Sequence, residues 1–237
     1  MARVFKILVG LVLLAAGALG AFLVWYFVID DDAPPEAELR ERPAAEQTTT
    51  SGSGGGEASA DGTWTVETGP EVFVGYRVQE LFAGETLKKD AVGRTPVVTG
   101  TIMVAGSTVG SGSVTADLTR LASDQSRRDD AIRTRGLETN EFPKATFTIT
   151  EPIDLGERPV VGKQYTVTAR GDLTLHGVTR PVDVEVDARW NGDTIDVAGR
   201  APIVLADYGI EPPDVLGRLE VDDRGVMEFQ LTFARGA

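Results

Sequence analysis

The chain has 237 residues, no cysteine, a single histidine and a formal net charge of −13. Without thiols it has no disulfides, thiolate metal sites, cysteine nucleophile or lipoprotein attachment through an N-terminal cysteine. The acidic balance excludes an electrostatic grip on nucleic acid and argues against one on anionic lipid.

From Ile7 to Ile29 the chain runs 23 residues without a charge. As a helix this stretch spans roughly 34 Å, enough for a hydrocarbon core. Arg3 and Lys6 precede it and Asp30, Asp31 and Asp32 follow it. By the positive-inside rule, residues 1–6 are cytoplasmic, 7–29 form a single transmembrane anchor, and the remainder is extracytoplasmic at the cell membrane. A signal peptide cleaved near Ala16-Gly17-Ala18 is the competing reading. It would leave Phe22–Ile29 as an exposed apolar N-terminus.

Residues 30–62 read as a disordered acidic and Gly/Ser linker. They hold Ala33-Pro34-Pro35, Thr48-Thr49-Thr50 and Ser51-Gly-Ser-Gly-Gly-Gly56, and carry a charge of −7. A segment so poor in apolar residues is expected to bury nothing. Its flexible span is roughly 30 Å.

Residues 63–237 read as the folded domain, with a charge of −8. Eight alternating runs succeed one another. Val72, Val74, Tyr76 and Val78 share a face, as do Val98, Ile102 and Val104. Val114, Ala116 and Leu118 form a third run; Ala145, Phe147 and Ile149 form a fourth. A long hairpin supplies two more: Tyr165, Val167, Ala169, Leu173 and Leu175, then Val182, Val184, Val186 and Trp190. Ile195, Val197, Ala201 and Ile203 follow, then Met227, Phe229, Leu231 and Phe233. Side chains of a strand alternate between faces, so each run has one oily and one polar face. Turns are expected at Gly106, Gly110-Ser-Gly112, Glu157-Arg-Pro159, His176-Gly177, Asn191-Gly192 and Asp223-Arg-Gly225.

Between the third and fourth runs, Ser126–Arg135 suits a short helix. Ser123 or Asp124 would cap it, and Ile132 and Leu137 would pin it to the sheet. The expected fold is all-β: an eight-stranded antiparallel barrel with one short helix. A two-sheet sandwich is the rival. Gly100, Gly171 and Gly199 are expected to permit bending or to leave room inside.

Few residues suit catalysis. His176 reads as a turn residue, since histidine tolerates positive φ. A Ser-His-Asp triad would need it, and no Gly-x-Ser-x-Gly elbow exists. The acidic run Glu220, Asp222 and Asp223 lacks calcium-loop spacing and reads as a solvated turn. Arg127, Arg128, Asp129, Arg133 and Arg135 read as an exposed helix knit by ion pairs, or else as a barrel-mouth element meeting a ligand head group. No metal, cofactor or catalytic residue is expected. The candidate site is the barrel interior: Val74, Tyr76, Val78, Ile102, Val104, Phe147, Leu173, Leu175, Val184, Val186, Phe229 and Leu231.

These features together resemble the YceI-like family of polyisoprenoid-binding proteins with a lipocalin-like barrel. The carriers are Val74-Gly-Tyr-Arg-Val78, Val98-Thr-Gly-Thr-Ile102, Arg128-Asp129, Phe142-Pro-Lys-Ala-Thr-Phe147, Gly171-Asp-Leu-Thr-Leu-His-Gly-Val-Thr-Arg-Pro-Val182 and Ala206-Asp-Tyr-Gly-Ile210. The chain departs from the pattern at Tyr76 and Glu80, where many relatives have Phe and then His. The resemblance implies a barrel whose tunnel holds a polyisoprenoid or similar amphiphilic lipid, without enzymatic activity. The alternative is a non-catalytic envelope structural or interaction domain with a filled barrel.

Overall fold

Alternation of apolar and polar side chains along nearly every segment produces one antiparallel sheet. The computed structural model describes residues 33–40, 59–84, 86–212 and 219–236. Among them are twelve strands: β1 Gly62–Val66, β2 Phe73–Phe82, β3 Lys89–Thr95, β4 Val98–Ala105, β5 Thr108–Asp117, β6 Ala122–Ser123, β7 Lys144–Ile149, β8 Ile153–Asp154, β9 Gln164–Leu175, β10 Val178–Trp190, β11 Thr194–Val204 and β12 Leu219–Arg235. One helix, α1, covers Ser126–Thr134, and 3-10 turns cover Leu118–Arg120 and Leu205–Tyr208.

The twelve strands make eight staves. β1 and β2 are successive parts of one stave, because both pair with β12: Thr65 with Ala234, and Phe73 with Gln230. β3 and β4 form the next stave, bent at Thr95-Pro96-Val97. From β4 the order runs β5, β7, β9, β10, β11, β12, and the pairing of β12 with β1 and β2 closes the ring. Closure pairs β1, β2 and β4 into the ring, while the outer edge of β3 is met among the described residues only by β6, at Gly93 and Arg94. The two-residue strands β6 and β8 attach to β3 and β5.

The long hairpin is in the expected register, with Val186 opposite Val167 and Val184 opposite Ala169. Its turn has φ of 50° at His176 and 73° at Gly177. Positive φ at both central residues is the geometry whose twist matches the flanking strands.

Two expected turns are strand instead. Gly110-Ser-Gly112 lies inside β5, where the sheet needs the missing side chain: a Cβ on Gly112 would sit 2.9 Å from both Ile102 and Ile149. Asp223-Arg-Gly225 lies inside β12 at a register shift between Val221 and Gly225, a bulge rather than a reversal. Asp223 accepts a hydrogen bond there from the Ala206 amide at 3.0 Å, and Lys88 reaches Asp222 at 2.7 Å.

Helix α1 forms where expected, but neither Ser123 nor Asp124 caps it. The N-cap is Gln125, which makes no side-chain cap bond. Asp129 instead reaches back and accepts from the Ser123 amide at 2.8 Å and from its hydroxyl at 2.7 Å. Ile132 and Leu137 pack against the core.

Residues 35–40 lie in the stretch expected to bury nothing, yet they are held on the outside of the barrel. Arg94 donates to the Pro35 carbonyl, Arg200 pairs with Glu36, and Arg189 donates to the Arg40 carbonyl. Arg40 in turn sits 2.5 Å from Glu71. These contacts join the segment to β3, β11, β10 and the residues before β2, and Ala37 is buried. The outward residues Asp196 and Ala198 are 3 % exposed, so this part of β11 is covered on both faces, whereas the outward Arg200 and Pro202 are exposed. The remainder of the expected linker through Ala58, the expected anchor at 7–29 and the N-terminal residues lie outside the described residues, except Ala33 and Pro34. No described helix is long and apolar enough to cross a membrane.

Candidate functional site

The barrel interior is built by the inward phase of every stave, and it is not packed uniformly. Toward α1 and the 3-10 turns, Tyr76, Val98, Leu175, Ile203, Leu205 and Tyr208 form a buried cluster. Toward the opposite end lies a cavity of 130 Å³ among Tyr165, Trp190, Ile195, Phe233, Val104 and Val109. A second cavity, of 80 Å³, lies among Leu173, Val184, Ala201 and Met227. Val114, Phe147, Phe229 and Leu231 border both. The cavities are therefore stacked along the barrel, and four side chains form the waist between them.

Their linings are chiefly Val, Ile, Leu, Phe and Ala. Such a surface offers burial of apolar area and little directional bonding, so it suits hydrocarbon rather than a polar substrate. Ile102, Val104 and Val186 line the larger cavity; Val74, Leu173 and Val184 line the smaller; Phe147, Phe229 and Leu231 line both. The other three expected site residues, Tyr76, Val78 and Leu175, belong to the packed end instead. Their strand phase is inward as expected. The helix and 3-10 turns that plug this end come from distant parts of the chain.

Sequence reading missed the residues at the far end of the larger cavity, notably Leu155, Pro159 and Tyr165 on and beside the 155–163 loop. Tyr165 organises that loop: its hydroxyl accepts from the Val160 amide at 3.0 Å and donates to Glu157 at 3.2 Å. Val160 and Val161, at the loop tip, are about half exposed (52 % and 50 %). An irregular loop has no period, so only the apolar composition of Pro159-Val160-Val161 hinted at it.

The charged groups at the packed end are committed to one another. Arg128 lies 3.1 Å from Glu80, which is 6 % exposed, and also pairs with Asp124. Thus the arginine expected on an exposed helix face is a partly buried strut between α1 and β2, while Arg133 makes the expected surface pair with Asp130. Glu80, one of the departures noted in the sequence, is the partner that this arrangement requires. Burial raises the Tyr76 hydroxyl well above the ordinary tyrosine range, with nearby Arg128 opposing the shift.

His176 does more than turn the chain. Its Nδ1 lies 3.0 Å from the Tyr208 carbonyl and its Nε2 lies 2.9 Å from Glu138. Phe142 meets the ring edge-on at 4.4 Å. The imidazole thus joins three separate segments and is spent on structure.

The YceI-like domain model matches residues 64–233. A UPF0312 protein of Vibrio campbellii is 33 % identical over 105 residues, 41 % of this chain and 52 % of that protein. One from Shewanella oneidensis is 31 % identical over 106 residues, 42 % of this chain and 52 % of that protein. The chain spans about half the length of the curated relatives it matches. Among solved structures, a polyisoprenoid binding domain from Saccharophagus degradans, implicated in plant cell wall breakdown, superposes with a TM-score of 0.58 at 20 % identity. It covers 73 % of this chain and 98 % of that one. At that identity the likeness concerns the fold.

Proposed function

Because the chain belongs to the YceI-like family, we propose that its barrel holds a polyisoprenoid or similar amphiphile, tethered to the cell membrane by residues 7–29 and placed outside the cytoplasm. The observation that carries this reading is the pair of stacked cavities with apolar linings inside a closed barrel. The polyisoprenoid binding named for the Saccharophagus domain of the same fold supports it. So does the 23-residue uncharged run with positive charge before it and negative charge after it. The protein acts by sequestering an apolar chain from water, a step that requires burial and no reacting group.

The rival is a filled barrel serving as an interaction domain, and the packed end around Tyr76 and Leu175 is what it would look like throughout. Organic extraction of the full chain purified from cells, followed by mass spectrometry, separates the two. The lipid reading expects stoichiometric isoprenoid or related amphiphile from the parent and from Glu185→Gln. It expects much less from Val184→Trp, which fills the smaller cavity. No lipid in the parent, together with overpacking of on the order of 1–3 kcal/mol in Val184→Trp, would establish the filled barrel.

A further inference from the structure

The waist gives the barrel a ruler. Phe147 and Phe229 lie on different staves, and both border both cavities. Each ring is laid against the wall over a glycine of the neighbouring strand. A Cβ on Gly171 would come within 2.5 Å of the Phe147 ring, and one on Gly199 within 2.5 Å of Phe229. Although inward-facing, both rings are only partly buried, so their remaining surface is turned to the lumen. A cavity of about 150 Å³ holds one benzene. By that measure the 130 Å³ cavity takes about one five-carbon unit, and the 80 Å³ cavity takes less.

Resting on the lipid-binding reading above, we propose that Phe147 and Phe229 are specificity-determining residues that limit the enclosed part of the ligand to a chain end of one to two isoprene units. A chain entering the larger cavity meets the two rings before it can occupy the smaller one. The smaller cavity lies among Leu173, Val184, Ala201 and Met227, on the far side of the two rings from the larger one. Longer isoprenoids would leave their remaining units outside the lumen. Shortening either ring joins the compartments and extends the accepted length.

The test uses the full chain in detergent, incubated with an equimolar mixture of geraniol, farnesol and geranylgeraniol. Free alcohol is removed by gel filtration, and retained alcohol is quantified by mass spectrometry. Every sample carries the same micelle background, so differences between parent and variants read the barrel. The variants are Phe229→Ala and Phe147→Ala, with Phe229→Leu and Phe147→Leu as milder changes should an alanine variant fail to fold by thermal melting. The parent should retain geraniol preferentially. The variants should raise the ratio of geranylgeraniol to geraniol at least about tenfold, since the joined lumen buries further methylenes of the longer chain. Parent and variants retaining all three alcohols in one unchanged ratio would overturn the ruler and leave lipid binding standing. Retention at background in every sample would overturn both.

Discussion

Arg94 holds Glu228 against the outside of the barrel, with Nη2 2.7 Å and Nε 3.0 Å from the same carboxylate oxygen. Glu228 is 2 % exposed although it is on the outward phase of β12. Arg77 approaches its other oxygen at 3.5 Å, and Arg94 also donates to the Pro35 carbonyl. Three strands and the docked segment therefore meet around one carboxylate.

Removing Arg94 leaves the buried Glu228 carboxylate with only Arg77 among the described residues, at 3.5 Å. Arg94→Met is expected to cost about 3 kcal/mol in urea unfolding. Adding Glu228→Gln to Arg94→Met should recover much of that loss, because no charge is then left buried without its partner. A double variant as unstable as the sum of the two single changes would refute the coupling.

Docking of residues 35–40 rests on ion pairs at Glu36 and Arg40, arginine hydrogen bonds to the Pro35 and Arg40 carbonyls, and one small buried side chain. Ala37→Asp should release the segment while changing global stability by at most about 1 kcal/mol. Hydrogen exchange at residues 35–40 and at the Asp196–Arg200 stretch of β11 reports the release. Unchanged protection in both places would count against the docked arrangement.

Tyr76 imposes an alkaline limit. Its folded-state pKa is raised above the unfolded value, so its stabilising contribution is complete below about pH 10 and is lost as pH rises beyond that. The Tyr76 hydroxyl is buried without a hydrogen-bond partner among the described residues. Tyr76→Phe is therefore expected to match or exceed the parent in stability at neutral pH and to lose less of it above pH about 10. A steeper alkaline loss in Tyr76→Phe would contradict this.

His176 carries two separable contributions. His176→Asn keeps a residue that tolerates φ of 50° but loses the bonds to Glu138 and Tyr208, at about 1–2 kcal/mol. His176→Ala loses the bonds and adds backbone strain, so it should melt lower than His176→Asn. Equal melting temperatures would mean that the turn conformation contributes nothing.

Topology has its own check. Protease added to intact cells or spheroplasts should cut between the expected anchor and the barrel and release a folded domain. Full protection would place the barrel in the cytoplasm, whereas release without protease would indicate a cleaved signal.

Local periodicity made most of the staves legible. The alternation from Tyr165 to Trp190 specified a hairpin whose register a one-residue slip would invert, so pattern and structure agree residue by residue. Polar Ser126–Thr134 could only interrupt the strands, and it forms the helix. Punctuation was less secure. Glycine in Gly110-Ser-Gly112 serves the close approach of Ile102 and Ile149 rather than a turn, and a residue type by itself does not distinguish those uses.

What required the tertiary structure is everything set by residues remote in sequence. Strand phase pointed Tyr76, Leu175, Phe147 and Phe229 inward alike. Only the assembled barrel decided that the first two are packed beneath α1 and the 3-10 turns while the last two divide a lumen. Composition likewise marked residues 30–62 as unable to form a core. It carried no record of Arg94, Arg189 and Arg200, which three strands bring to one outer face where Pro35, Glu36 and Arg40 can be held. Side-chain alternation is encoded within a few residues; cavities, plugs and docking surfaces arise from packing across the whole chain.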